Sequence, residues 1–414
     1  MKGILFGLGK DSGIGPDDAM SACMFGVWMP RPKEIGEWRN RYWSSEMLAT
    51  IADYMTMSPG DKVFFFQNRL IYGIGEVVKT QKAPPRRGAI LNYHDADLPN
   101  PREDPSSDSA LFTLPEYWRS VRIVVPFLPS PLFFREGIDM DEVLSTPGAD
   151  VCWSLRNWER KSFALLGDNE TQLLIEVFLR RFFSQRSSVE PKFSQSALDK
   201  YISQRYPGVP SVRRLVRQNP EMYLDQGKFR NENTLHGLLI EHMMENDPSW
   251  GAGLSSPDRG NVFHEVPASP PKPPLWRDSM DILATRYWEG TDVLAHYDVV
   301  EAKAGIVDLE GTSFNARVSQ VMRYVDFVAK NYAGGNYGSI SAYYVAKDFD
   351  EDFVGGFRRA LSSGASLPDL GAISRSYVLN PREREATHSW TGLNLLTYDW
   401  DENEGRLTLN KKGL

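Results

Sequence analysis

Val299-Val300-Glu301-Ala302-Lys303 is the stretch on which the reading of this chain turns. Two β-branched residues run into an acid and a base spaced two apart, the period at which strand side chains share a face. Charges that close an apolar strand are costly, because each one loses water, unless they serve a purpose. Twenty residues upstream stands Asp281, in Met280-Asp281-Ile282-Leu283, and the apolar run after it reads as a second buried strand. Downstream, a short helical stretch carries Gln320 and Tyr324, four apart and therefore on one helix face. Two carboxylates can hold a hard divalent cation through oxygen, and a lysine beside them can steady a phosphate or an attacking water. The pattern points to metal-assisted phosphodiester chemistry. Asp278 and Asp298 compete for the place of the first carboxylate; Asp281 is preferred because Ile282-Leu283-Ala284 would hold it rigidly.

These residues resemble the PD-(D/E)XK nucleases. The Gln320-x-x-x-Tyr324 helix is similar to that of the RecB-like branch, and the segment from Asn231 to the end resembles the C-terminal domain of NucS-type and related restriction endonucleases. The resemblance implies an α/β restriction-endonuclease-like fold with a central mixed sheet over residues 231–414. It implies Asp281 and Glu301 as ligands of Mg2+, with Mn2+ as a substitute, and Lys303 as the catalytic lysine. Gln320 and Tyr324 would contact the scissile strand and prop the metal site. Glu232 is the candidate for an extra acid on the first helix, with Glu241 and Glu245 as neighbours at helical spacing. The proline that the family places before its first acid is absent, since Ser279-Met280 precedes Asp281.

The remainder of this segment alternates elements in the same style. Residues 339–346 read as a buried strand rich in β-branched and aromatic side chains, and 393–398 as a later one. Acids from Asp348 to Asp352 open a helix at the positive end of its dipole, and 353–361 continue it as an amphipathic run. The expected order is helix, strand hairpin, helix, strand, helix, strand, packed as layers around one sheet. Residues 267–274, rich in proline, read as a stiff loop leading into the Asp281 strand.

With 414 residues the chain suits two cores better than one. Its net charge of −7 hides an uneven distribution, for residues 178–230 hold eleven Lys and Arg against four acids. A basic stretch of this kind can grip a phosphate backbone while the rest of the chain stays acidic, or it can be a solvated connector. Arg180, Arg181, Arg213, Arg214 and Arg217 are its candidate backbone contacts, and residues 186–230 read as a basic connector. Two cysteines without a Cys-x-x-Cys spacing exclude a zinc knuckle and a disulfide scaffold. Six histidines without a His-x-x-x-His or His-Asn-His pattern argue against a histidine-based nuclease. No apolar run approaches the roughly eighteen residues of a membrane span, and residues 1–8 are too short and glycine-broken for a signal peptide. A cytoplasmic protein without a membrane partner is expected.

Residues 1–185 read as a separate domain. Residues 61–67 and 70–78 form two strands joined at Asn68-Arg69, and 121–126 form a third. Residues 163–166 precede Asp168-Asn169-Glu170-Thr171, which reads as the start of a helix over 172–183. Gly60-Asp61-Lys62-Val63 followed by Gly73-Ile74-Gly75-Glu76-Val77 resembles the core hairpin of PUA-like domains, the EVE-type modified-base readers among them. The resemblance implies an α+β PUA-like β-barrel that holds a flipped base between aromatic faces. Trp28, Trp38 and Trp43 are the base-reading candidates, the last two interleaved with Arg39 and Arg41; core packing competes for each ring. The glycines at 7, 9, 13 and 15 lack the Lys-Ser/Thr of a phosphate loop. A reader followed by a nuclease is the layout of a modification-dependent restriction enzyme acting in antiviral defence on double-stranded DNA, with a homodimer as one allowed assembly. A NucS-like repair nuclease acting on mismatched or branched DNA and a nucleic-acid-binding regulator with an inactive nuclease fold are the alternatives.

Overall fold

A computed structural model describes residues 2–8, 15–28, 33–34, 41–42, 44–80, 86–93, 121–130, 136–149, 152–156, 163–185, 198–199, 209–245, 260–269, 278–288, 291, 293–310, 313–362 and 392–412. The chain divides into two compact units, Met1–Arg41 with Asp53–Pro210, and Tyr42–Ala52 with Ser211–Leu414. The expected connector 186–230 is therefore not a single segment, because residues from Ser211 onward belong with the second unit. The reason is packing: Val212, Leu215 and Val216 are fully buried, which a solvated linker would not allow. Among the described residues no helix is long and apolar enough to cross a membrane.

The first unit is a curled mixed sheet with short helices. Its elements are β1 (Gly3–Gly7), α1 (Pro16–Ala22), β2 (Met24–Trp28), a two-residue ribbon of β3 (Lys33–Glu34) and β4 (Arg41–Tyr42), α2 (Ser45–Met55, shared with the second unit), β5 (Lys62–Gln67), β6 (Leu70–Val77), β7 (Ile90–Tyr93), β8 (Val121–Pro129), β9 (Ile138–Asp139), α3 (Met140–Leu144), α4 (Trp153–Arg156), β10 (Phe163–Leu166) and α5 (Asp168–Gln185). The β5–β6 hairpin turns at Asn68 and Arg69 with φ of 52° and 66°, the left-handed pair that a tight hairpin requires. Strand order is β10-β1-β5-β6-β8-β2, with β1 and β5 parallel and the other neighbours antiparallel. β8 serves three partners along its length: Phe127–Pro129 pair with β6, while its earlier residues pair with β2 and β7. The sheet curls as a result. β1 and β2 stand four places apart in the order, yet the rings of Phe6 and Phe25 lie 4.9 Å apart, with Phe127 bridging Phe25 and Phe65. Its edge strands β10 and β2 do not pair with each other among the described residues. Helix α5 begins at Asp168, four residues earlier than expected, and lays Leu173, Leu174, Val177 and Phe178 on Leu5, Phe64 and Ile71.

The second unit opens with α6 (Val212–Gln218), α7 (Pro220–Tyr223), the ribbon β11 (Leu224–Asp225) and β12 (Lys228–Phe229), and α8 (Glu232–Glu245). A six-stranded mixed sheet follows in sequential order: β13 (Gly260–Pro267), β14 (Ser279–Tyr287), β15 (Leu294–Val307), β16 (Ile340–Phe349), β17 (Leu393–Asp401) and β18 (Arg406–Lys411). β15, β16 and β17 are parallel, and the outer pairings are antiparallel. Parallel neighbours need a crossover, which α9 (Phe314–Asn331) supplies between β15 and β16; α10 (Glu351–Ser362) follows β16. Several boundaries differ from the sequence reading. β15 does not end at Lys303 but runs on to Val307 through a register shift between Lys303 and Ile306. The helix bearing Gln320 has eighteen residues and is not short. Asp348 belongs to β16, and it is Asp350 that caps α10, accepting the Phe353 N–H at 2.6 Å. The edge strands β13 and β18 went unread. Residues 270–274 of the proline-rich stretch lie outside the described residues, and Pro267 ends β13.

Candidate active site

Five elements bring the candidate residues together. β14 contributes Asp281 and β15 contributes Glu301 and Lys303. Ile282 pairs with Val300, which sets Asp281 beside the end of the apolar run of β15. The Oδ2 atom of Asp281 accepts the backbone N–H of Ala302 at 2.8 Å, so the acid is fixed to the neighbouring strand. Glu301 and Lys303 share a face as their spacing requires, with Lys303 Nζ 2.7 Å from Glu301 Oε1. α8 adds Glu232, whose Oε2 lies 3.5 Å from the same ammonium. Asn231 caps that helix by accepting the N–H and hydroxyl of Thr234, which places Glu232 in its first turn. Glu241, a rival for the extra acid, instead accepts from Ser211 and the Arg213 N–H, and Glu245 pairs with Arg213. On α9, Gln320 Nε2 donates to Tyr324 Oη at 2.7 Å. Tyr344 of β16 is register partner to Glu301.

The electrostatics of this group are unbalanced. Glu301 is 1% exposed, and apart from the ion pair with Lys303 neither carboxylate oxygen has a hydrogen-bond partner among the described residues. Burial, reinforced by the charge of Asp281 and opposed by Lys303, pushes the Glu301 pKa up to about 8. Burial would raise Asp281 too, but His236, the Ala302 N–H and Lys303 outweigh it and hold that carboxyl below the usual range. Lys303 is 30% exposed in its side chain; burial works against its charge, yet Glu301 wins and the ammonium is held well above its ordinary value. Burial and the Glu301 charge raise Tyr324, and push Tyr344 up to about 12, so both hydroxyls stay protonated. When ionised, Asp281, Glu301 and Glu232 set three negative charges against the one of Lys303.

That surplus is what a divalent cation would balance. The test of fit is the buried Glu301 carboxylate, which has two oxygens and one half-exposed lysine to answer them. Asp281 and Glu301 form a hard oxygen donor set suited to Mg2+, which keeps much of its water and needs only one or two carboxylates. No group of three or more His, Cys, Asp or Glu side chains that could hold a metal ion occurs among the described residues.

Two residues of the site were missed by sequence reasoning. His236, one helical turn after Glu232 on α8, places Nε2 at 3.4 Å from Asp281 Oδ2. Its Nδ1 lies 3.3 Å from Nε2 of His264 on β13. Both imidazoles are buried. The four-residue interval between Glu232 and His236 was a readable signal of a shared face; His264 gave none, because β13 was not recognised as a strand.

The rival acids are otherwise engaged. Asp298 is fully buried and held by Arg286 through two bonds of 2.6 Å, and Asp278 lies 3.7 Å from Arg323. Ser341 Oγ, His296 and Asp298 also lie close, but Ser341 and Asp298 approach the same imidazole nitrogen, at 2.9 and 3.8 Å. A serine triad needs opposite nitrogens, so this cluster is no nucleophile. Of the arginine candidates, Arg180 pairs with Glu176 and Arg181 with Glu142 in the first unit. In the second, Arg213 pairs with Glu245, Arg214 N–H bonds Ser211 Oγ in the α6 cap, and the Arg217 stem packs on Gly405. Trp28 ends β2, with its backbone paired to Arg122. Trp38 and Trp43 lie outside the described residues.

No protein-family model matches this chain, and no curated protein sequence matches it. Among solved structures, "MspJI Restriction Endonuclease in Complex with 27-mer Oligonucleotide" aligns over 93% of this chain and 78% of its own, at 10% identity and a TM-score of 0.20. A superposition at that level leaves a shared fold unestablished.

Proposed function

We propose that the second unit is a Mg2+-dependent DNA endonuclease of the PD-(D/E)XK type and that the first unit recognises a modified base, which together make a modification-dependent restriction enzyme. One observation carries the nuclease reading: a buried, under-bonded Glu301 carboxylate beside Asp281 and Lys303, at adjoining positions of two paired strands. A Mg2+ ion held by Asp281 and Glu301 would polarise the scissile phosphate and acidify a water. The chain's own residues supply the rest. Lys303 stays protonated at neutral pH, because Glu301 holds its charge, and offers a cation to the phosphate where negative charge develops. Gln320 and Tyr324 form a hydrogen-bonded pair on the crossover helix, poised to orient the DNA strand. Glu232 keeps Lys303 tethered from the α8 side.

A nuclease site of this kind meets mainly phosphates and carries little sequence information, so selectivity has to come from elsewhere. The first unit, with its resemblance to PUA-like readers, is the part to supply it. The test is cleavage of one plasmid in unmodified, cytosine-modified and adenine-modified forms, in Mg2+. Cutting confined to one modified form is expected. Equal cutting of all forms removes the reader, and cutting only of mismatched or branched duplexes replaces restriction with repair.

A further inference from the structure

Asp281 is held asymmetrically. Its Oδ2 accepts the Ala302 N–H at 2.8 Å and lies 3.4 Å from His236 Nε2, a buried nitrogen that makes no hydrogen bond among the described residues, while its Oδ1 makes none either. Behind His236 stands His264, with its ring nearly perpendicular at 74° and its Nε2 3.3 Å from His236 Nδ1. The protons of this column follow from the acid. An ionised carboxylate only accepts, so hydrogen on His236 Nε2 is the tautomer that suits the acid it faces; Nδ1 would then be free to accept from His264 Nε2. Three elements that pack on one another, α8, β13 and β14, each contribute one member.

We propose that His236 and His264 are positioning residues that grip Asp281 by Oδ2 alone and so leave Oδ1 to face the cation. The proposal rests on the nuclease reading of the site. A free carboxylate can rotate and engage a metal through either oxygen or both; one bonded at Oδ2 by the Ala302 N–H and flanked there by an imidazole presents its other oxygen in a set direction. Outer partners of this sort typically alter metal affinity by about 10- to 100-fold when removed. The Ala302 N–H remains in any His236 variant, so the carboxylate would swing without being released.

The test is a calorimetric Mg2+ titration of the full chain without DNA, joined to histidine-selective nitrogen NMR of the metal-free protein. His236→Ala should weaken Mg2+ by about 10- to 100-fold. His236→Gln, whose amide can place an N–H near the position of Nε2, should recover most of that loss, and His264→Ala should fall between them. In the wild type, His236 should carry hydrogen on Nε2 with Nδ1 bare, a signature that needs no variant to fold. Mg2+ should leave that hydrogen in place. Hydrogen on Nδ1, equal loss in His236→Gln and His236→Ala, or unchanged affinity in His236→Ala would overturn the proposal while leaving the nuclease reading intact. Loss of the Nε2 hydrogen on adding Mg2+ would make His236 a ligand and not a positioning residue. Wild type that binds no Mg2+ would bring down the nuclease reading, and the proposal with it.

Discussion

Replacing Glu301 with Gln isolates the cost of its charge. In the unfolded chain a glutamate ionises near its ordinary value of 4.5, whereas in the fold burial and Asp281 push Glu301 up to about 8. A raised folded pKa means that the native state holds the proton more tightly. The metal-free fold therefore loses stability as pH rises from the lower value through the higher one, and loses none of it below. At about 1.4 kcal/mol per pH unit, the interval corresponds to a loss of order 3–5 kcal/mol. For a domain of this size that is a drop of roughly 10 °C in melting temperature. Gln has the shape of the protonated acid, so Glu301→Gln should match wild type near pH 5 and exceed it progressively toward pH 8. The assay is thermal unfolding in chelator across that range, read as the difference between the two proteins. Taking the difference matters because Glu170, pushed up to about 7 by burial in the first unit, adds the same slope to both. Adding Mg2+ should flatten the wild-type curve and leave the variant unmoved. Parallel curves for the two proteins would refute the argument, since they would mean that Glu301 carries no unbalanced charge.

Lys303→Ala should lower cleavage turnover by several orders of magnitude while Mg2+ binding survives, because a cation that answers charge developing at phosphorus acts in the transition state; a defect confined to metal affinity would make Lys303 structural. Tyr398→Phe should cost about 1–3 kcal/mol in chemical denaturation, since the buried hydroxyl donates to the Ala304 carbonyl and accepts the Phe229 N–H; an unchanged midpoint would show that those bonds are worth nothing net. In a cleavage-dead Glu301→Ala background, Trp38→Ala or Trp43→Ala should weaken binding to a modified duplex by about ten- to a hundredfold if the ring stacks on the base, with little change in salt dependence. Unfolding of both variants would assign these rings to the core.

How much of this was legible beforehand follows from which interactions are local. The Glu301-x-Lys303 face, the Gln320–Tyr324 pair and the Asn68-Arg69 hairpin depend on short periods that any strand, helix or turn imposes, and each is found as such. The strand holding Asp281 was readable because Ile282, Leu283 and Ala284 advertise burial. What escaped depends on contacts distant in sequence. His264 matters only because β13 pairs with β14, and β13 mixes Asn261, His264 and Glu265 into its apolar residues, which blurs the two-residue period. The connector was misjudged because its arginines outnumber its acids, while Val212, Leu215 and Val216, at helical spacing, carry the packing that assigns this part to the second unit. β15 overran its expected end because the register shift between Lys303 and Ile306 lets Ala304 and Gly305 continue the strand.

The central question is whether Asp281, Glu301 and Lys303 cut a phosphodiester with metal. Supercoiled plasmids, modified and unmodified, incubated with the full chain in Mg2+ or chelator provide that measurement, with Asp281→Ala, Glu301→Ala and Lys303→Ala beside the wild type. Nicked or linear product is expected from the wild type in Mg2+ alone, and none from Asp281→Ala or Glu301→Ala, though both should still shift DNA in a gel. Full cleavage by either carboxylate variant, or a wild type inert on every plasmid form with Mg2+ and Mn2+ alike, would contradict the nuclease reading.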